Sequence, residues 1–229
     1  MREFNRYAIY FLPERGALYD FGATWLGWDV IDGVARDHPL LEGLPFSVED
    51  LTTAPRKYGF HGTIKPPFRL RDGQSVEDLF EAFEEEVTRL SPVTLDGLQV
   101  ARLGSFLALR PIGDQLPLAA LASKIVTKLD DFRALPSEAE LQRRKSADLT
   151  TRQTALLERW GYPYVLDEFK FHLTLTGRLR PDEIDSVFDV LTRELSPLIS
   201  DPLTIRSLCL CGEDQGGMFH LIHREMLSS

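Results

Sequence analysis

His61-Gly62-Thr63-Ile64 and His172-Leu173-Thr174-Leu175 carry one pattern, His-x-Thr-apolar, at two points 111 residues apart. Residues two apart on a strand share a face. Each segment therefore turns an imidazole and a hydroxyl to one side, and Phe60, Gly62, Ile64 or Phe171, Leu173, Leu175 to the other. Two imidazoles, one neutral and one protonated, can take one proton and supply another near neutral pH. Threonine hydroxyls can meanwhile donate to the oxygens of an anion. Hydrolysis of a cyclic phosphodiester has this demand: a base for the attacking water, an acid for the departing alkoxide, donors for the non-bridging oxygens. That scheme asks for no metal. A lone strand histidine is more often a satisfied structural side chain, but recurrence of the whole pair favours chemistry.

Lys65 and Thr176 lie two residues beyond the threonines and extend the same faces, so either could add a phosphate contact. Residues 51–71 hold Arg56, Lys57, Lys65, Arg69 and Arg71 without an acid, and residues 170–180 hold Lys170, Arg178 and Arg180 without one. In a chain of formal net charge −9 these basic stretches surround the two patterns and suit a small anion. Solvated loop charges are the plainer alternative for any one of them. The acidic balance argues against nucleic acid as a partner, since a polyanion calls for a broad basic stripe. Tyr7 and Tyr58 are candidates to stack on a sugar or base, whereas Trp160, Tyr162 and Tyr164 read as core or hinge packing.

Several elements must hold these residues. Arg6 to Leu12 reads as a strand and Ala17 to Trp28 as a helix. Residues 33–55 read mostly as loop. Ser75-Val76-Glu77-Asp78 caps a helix through Leu90, and strands follow at 98–103 and 106–110 about a turn at Gly104. A helix spans 116–129, and Ser137-x-x-Glu140 and Thr150-x-x-Gln153 start two more. The second His strand is followed by the same order: helix 181–194, strand 203–211, a Gly216-Gly217 turn and strand 218–223. Leu90-Ser91-Pro92 and Leu195-Ser196-Pro197 close the equivalent helices, which marks an internal duplication.

The expected fold is α+β: one domain over 1–229 made of two pseudo-symmetric lobes, each an antiparallel sheet with helices on its outer face. The His-x-Thr strands line a central cleft. The lobes fall near 1–131 and 169–229, each able to exchange a strand or helix with the other. Residues 132–168 are a helical insertion, either a lid over the cleft or a solubilising or oligomerising appendage.

No run approaches a membrane span, and the first residues lack a secretory pattern, so a cytoplasmic location is expected. Cys209 and Cys211, the only cysteines, read as buried free thiols. His220-x-x-His223 would turn its rings to opposite strand faces, so no metal and no cofactor are expected.

The paired patterns resemble the 2H phosphoesterase superfamily, the RNA ligase and cyclic phosphodiesterase group. The blocks Arg6–Phe11 (RYAIYF), Tyr58–Arg69 (YGFHGTIKPPFR), Arg159–Tyr164 (RWGYPY) and Glu168–Arg178 (EFKFHLTLTGR) resemble its uncharacterised phosphonate-associated family. The resemblance implies metal-independent phosphodiesterase activity. His61 and His172 would be acid and base, and Thr63 and Thr174 phosphate ligands. From the residues themselves, Lys65, Thr176, Tyr58, Tyr7 and Arg178 are further candidate substrate contacts. The resemblance also implies a small phosphorylated sugar or nucleotide as substrate, by way of phosphonate metabolism. Gly62 stands where relatives often carry a larger residue, which would loosen the packing behind His61. A non-catalytic nucleotide or phosphosugar binder and an RNA-end-processing phosphoesterase are the alternatives. Which histidine is acid, and the oligomeric state, stay open at this level.

Overall fold

In chain order the elements are β1 (Arg6–Phe11), α1 (Ala17–Leu26), β2 (Trp28–Asp29), β3 (Val34–Ala35), α2 (Val48–Thr52), a 3-10 turn at Arg56–Tyr58, and β4 (Gly62–Phe68). Then come α3 (Val76–Thr88), β5 (Val93–Leu95), β6 (Gly97–Leu103), β7 (Phe106–Ile112), α4 (Leu116–Lys128), α5 (Glu138–Lys145) and α6 (Thr151–Trp160). The chain ends with β8 (Leu173–Thr174), α7 (Ile184–Leu195), β9 (Leu203–Ile205), β10 (Ser207–Glu213) and β11 (Phe219–Met226). This computed structural model describes residues 3–145, 149–199 and 202–228. Ser75 with Asp78, and Thr150 with Gln153, form reciprocal capping boxes that start α3 and α6. The stretch read as loop holds the β2–β3 hairpin, α2 and the 3-10 turn, elements too short to show a period.

Seven strands form one antiparallel sheet in the order β11-β10-β1-β4-β8-β7-β6. The two His-bearing segments are thus neighbours at its centre, joined through the single pair Gly62 with Leu173. A second small pairing sets Thr94 against Thr204, with their hydroxyls 3.0 Å apart. In both places residues about 111 positions apart meet antiparallel, as a two-fold axis relating the repeats requires. The halves are not consecutive stretches of chain. Hairpin β6–β7 of the first repeat pairs with β8 of the second, while hairpin β10–β11 of the second joins β1 and β4. The division near residues 131 and 169 therefore does not separate two sheets; the strand exchange replaces it.

One face of the sheet carries the main core. Ile9, Phe11, Ile64, Leu107, Leu109, Leu173, Leu208 and Leu210 pack there against Leu79 and Phe83 of α3, Leu118 and Ile125 of α4, and Val187 and Leu191 of α7. A smaller cluster on the opposite face joins Ala8, Tyr10, Cys209, Cys211 and Phe219 to Tyr19 and Ala23 of α1. Both thiols are free and buried, and burial pushes Cys209 up to about 11.

The described part of the insertion does not close over the histidines. Leu156 and Val165 pack on Val126 of α4, with Trp160 and Tyr162 around them, and Asp130 ties the segment down through Arg133 at 2.7 Å and Arg159 at 3.1 Å. Its apolar residues find their partner on α4, which belongs to the helix-covered face. Residues 146–148 lie outside the described part.

Candidate active site

Extending the register around Gly62 and Leu173 by one residue each way sets His61 across from Thr174 and Thr63 across from His172. Two imidazoles and two hydroxyls therefore alternate at the corners of one patch, on the face opposite the main core. The patch owes its position to β4. Beyond Thr63 this strand carries Pro66 and Pro67, which donate no ladder hydrogen bond, and its pairing with β8 stops at Gly62. Gly62 itself is required there: a Cβ would come within 2.3 Å of the Phe171 ring. The expected looseness behind His61 is absent, because Phe171 fills the space that a larger residue would take.

Each ring is set by a carbonyl two residues before it. His61 donates from Nδ1 to Gly59 O at 2.9 Å, and His172 from Nδ1 to Lys170 O at 2.8 Å. Because a carbonyl only accepts, both rings carry the Nδ1 proton when neutral and present a lone pair at Nε2. Gly59 reaches the necessary conformation at φ 69 and ψ 178, open to glycine and to little else.

The pairs then diverge. His61 Nε2 accepts from the Thr63 hydroxyl at 3.0 Å, while the Tyr10 ring lies over the imidazole with centroids 3.9 Å apart. Burial pushes His61 down to about 4, against a raising effect of the Gly59 carbonyl and a further lowering by His172. His172 is also lowered by burial, its Lys170 carbonyl opposes this, and the positive field of Arg110 adds to it. Its nearest ring is Phe106 at 5.8 Å. Nε2 of His172 has no hydrogen-bond partner among the described residues.

A cavity of about 250 Å³ opens at the His61–Thr174 edge of this patch, lined by His61, Thr174, Tyr58, Phe106, Pro55 and Arg178, together with Gly59, Ala54, Thr176 and Gly177; Thr63 and His172 border the patch but are not among the cavity's lining residues. At ~30 Å³ per water in the liquid, it has room for a phosphoryl group and part of an attached alcohol. Tyr58 and Arg178 line this cavity. A larger cleft of about 370 Å³ lies elsewhere, between Phe11, Ala17 and Arg206, and holds no pair of groups suited to proton transfer.

Three expected contacts lie elsewhere or are already engaged. Lys65 is buried on the helix-covered side, donating to Val126 O at 3.0 Å with Asp130 at 3.7 Å. A bulge moves it there: β1 pairs Tyr10 with Thr63 but Ile9 with Lys65, so one extra residue in β4 turns the side chain through the sheet. Burial pushes its ammonium down to about 8, partly offset by Asp130. Tyr7 packs into the main core beside Phe4. Thr176 lines the cavity, yet its hydroxyl is used within the backbone, accepting from Leu107 N at 3.0 Å and donating to Gly177 O at 2.8 Å.

The basic surroundings are also less free than the sequence suggests. Arg56 donates to Glu49 O, Arg69 pairs with Glu140 and Arg180 with Glu183. Tyr10, Gly59 and Phe106 escaped the sequence reading, since each reaches the site through strand pairing or a turn and not through the local pattern. His223 groups with Glu84 and Glu225 instead of His220; the ligand atoms of those three lie within 4.8 Å of one another on α3 and β11, and His223 and Glu225 are already hydrogen-bonded at 2.9 Å.

Comparison with known proteins adds a family and two structural likenesses. Over 219 residues the chain is 34% identical to the "Ribose 1,5-bisphosphate phosphokinase PhnN" of Janthinobacterium sp. (strain Marseille), covering 93% of this chain and 48% of that protein. It is 34% identical to the protein of the same name from Laribacter hongkongensis (strain HLHK9), covering 79% of this chain and 41% of that protein. The chain thus spans about half the length, or less, of the curated relatives it matches. Among solved structures it is similar to E. coli LigT complexed with NADP+, at 12% identity and a TM-score of 0.45 over 99% of both chains. A similar likeness, 12% identity and a TM-score of 0.45 over 97% of both chains, links it to TT0787 of Thermus thermophilus. A family model matches residues 63–220, from the first motif threonine to β11, and the chain belongs to that family, described as "Protein of unknown function (DUF1045)".

Proposed function

We propose that the chain is a metal-independent cyclic phosphodiesterase of the 2H type, acting on a small phosphorylated sugar or nucleotide in the cytoplasm. The observation that carries this reading is the alternation of two Nδ1-anchored imidazoles and two threonine hydroxyls on one open patch. His61, covered by the Tyr10 ring, is assigned as the base, and His172, with the open Nε2, as the acid. Water attacks phosphorus, and its proton passes to Nε2 of His61. The P–O bond to the ring oxygen breaks, and His172 protonates the departing alkoxide. The product is a phosphomonoester with a free hydroxyl, and the two histidines have exchanged protonation states. Thr63 and Thr174 donate to the non-bridging oxygens as charge grows on them.

The name of the relatives supports a phosphorylated ribose as the sugar. Opening a cyclic phosphate on a ribose that already bears one phosphate yields a ribose bisphosphate, the class of compound that name gives as kinase substrate. The phosphokinase activity is named for proteins of which this chain spans about half or less, and it is not carried over to this chain.

Turnover of a panel of cyclic phosphates in the presence of a chelator tests the reading. The wild type should hydrolyse at least one, and His61→Ala and His172→Ala should each lower kcat by about 10²- to 10⁴-fold. Unchanged rates in both variants would sink the assignment. Tight binding of a cyclic phosphate without turnover would favour a sensor instead.

A further inference from the structure

Arg110 has no place in the scheme above, yet it stands beside it. β7 pairs Ala108 with Thr174 and Leu109 with Leu173, so the next residue, Arg110, lies across from His172. Leu107 and Leu109 enter the main core, which leaves Ala108 and Arg110 on the histidine face. The row across the sheet thus reads Tyr10, Thr63, His172, Arg110. Arg110 is half-buried and has no hydrogen-bond or ion-pair partner among the described residues. An unpaired guanidinium next to an acid that must be protonated is unfavourable in the free protein, because like charges repel. It is explained if an anion occupies the space during the reaction.

We propose that Arg110 binds a second phosphate of the substrate, a monoester remote from the scissile bond, and so makes the site specific for cyclic phosphates that carry one. The inference rests on the phosphodiesterase reading and adds the group that reads the substrate. The scissile diester bears one negative charge and is met by the two threonines. Arg110 lies one strand beyond His172, away from Thr63, on the acid's side and therefore on the side of the leaving alcohol. Arg178 lines the cavity beside His61 and Thr174, whose lining does not include Arg110, so Arg110 is the guanidinium on the acid's side. A monoester, carrying ≈ −1.5 to −2 at pH 7, supplies the counter-charge that Arg110 lacks and suits the planar fork of arginine.

Two measurements test this. Calorimetry with ribose 5-phosphate and with ribose, on the full chain, reads the subsite without turnover. The wild type should prefer the phosphorylated sugar, and Arg110→Ala should weaken its binding by roughly 10- to 100-fold while Arg110→Lys recovers part of it. In turnover, the ratio of kcat/KM for adenosine 2′,3′-cyclic phosphate bearing a 5′-phosphate to that for the unphosphorylated compound should fall by a similar factor in Arg110→Ala, whatever the loss of the Arg110 field at His172 does to both rates alike. Equal losses on both compounds would assign Arg110 to the scissile phosphate or to structure and overturn the proposal. So would a wild type indifferent to the 5-phosphate. Absence of turnover with a phosphate preference intact would count against the phosphodiesterase reading alone.

Discussion

His61 and His172 share a tetrapeptide pattern, a tautomer and a carbonyl anchor, and they differ in everything that sets reactivity. His61 lies under the Tyr10 ring, bonded to its own threonine. His172 has a ring neighbour only at 5.8 Å, keeps Nε2 open and stands next to Arg110. The cause lies in the strands outside the repeats. β1 has no counterpart beside β8, so on one side of the axis Tyr10 covers the imidazole, and on the other side hairpin β6–β7 leaves Ala108 and Arg110 as neighbours. A duplication that built two matching motifs thus yields two unlike ionisable groups once the flanking strand is unequal, and unlike groups are what acid–base catalysis needs.

Beyond the loss expected of the histidine variants, the largest effects should come from the threonines. Thr174→Ala should remove about 2 to 4 kcal/mol of transition-state stabilisation, read as a fall in kcat/KM. Thr63→Ala should cost a similar amount and also move the basic group of the pH–rate profile, because Thr63 bonds His61 directly. Identical pH profiles for the two variants would show the motifs to be equivalent.

Stability against acid sharpens the same contrast. The folded pKa of His61, about 4, lies below its ordinary value near 6.5, so the unfolded chain takes up the proton first. Its contribution is complete above about pH 6.5 and is lost as pH falls towards 4, by about 3 kcal/mol at most. Urea unfolding at several pH values should show this slope, and His61→Gln should flatten it.

Gly62→Ala should destabilise the fold by about 1 to 3 kcal/mol through the clash with Phe171, with Phe171→Leu restoring part of the loss in the double variant. The smallest effect belongs to the contact on the axis. A double-mutant cycle on Thr94 and Thr204 should give a coupling of only about 0.2 to 1 kcal/mol.

Local pattern carried the elements with their own period or cap. The capping boxes of α3 and α6, the strand of β1 and the order after each histidine all follow from neighbouring residues. The duplication was visible because Leu-Ser-Pro recurs after each helix. Pairing was out of reach, since the bulge that turns Lys65 through the sheet exists only in relation to β1. The same holds for Tyr10 and Phe106, which lie on strands distant in sequence from the histidines they face. The motif spacing located the imidazoles and left their environments open, because burial depends on which strand lies next to which.

The interleaving of the hairpins has a consequence for how such a molecule can be divided. Each His-bearing segment finds a hairpin of the other repeat in its own half of the sheet, so neither repeat, cut free, could complete its share of the sheet from its own residues. A single unit of this kind would become a working entity only by trading hairpins with a twin. In the present chain that trade is made within one molecule, and the linker between the repeats serves as the tether that makes the partnership permanent.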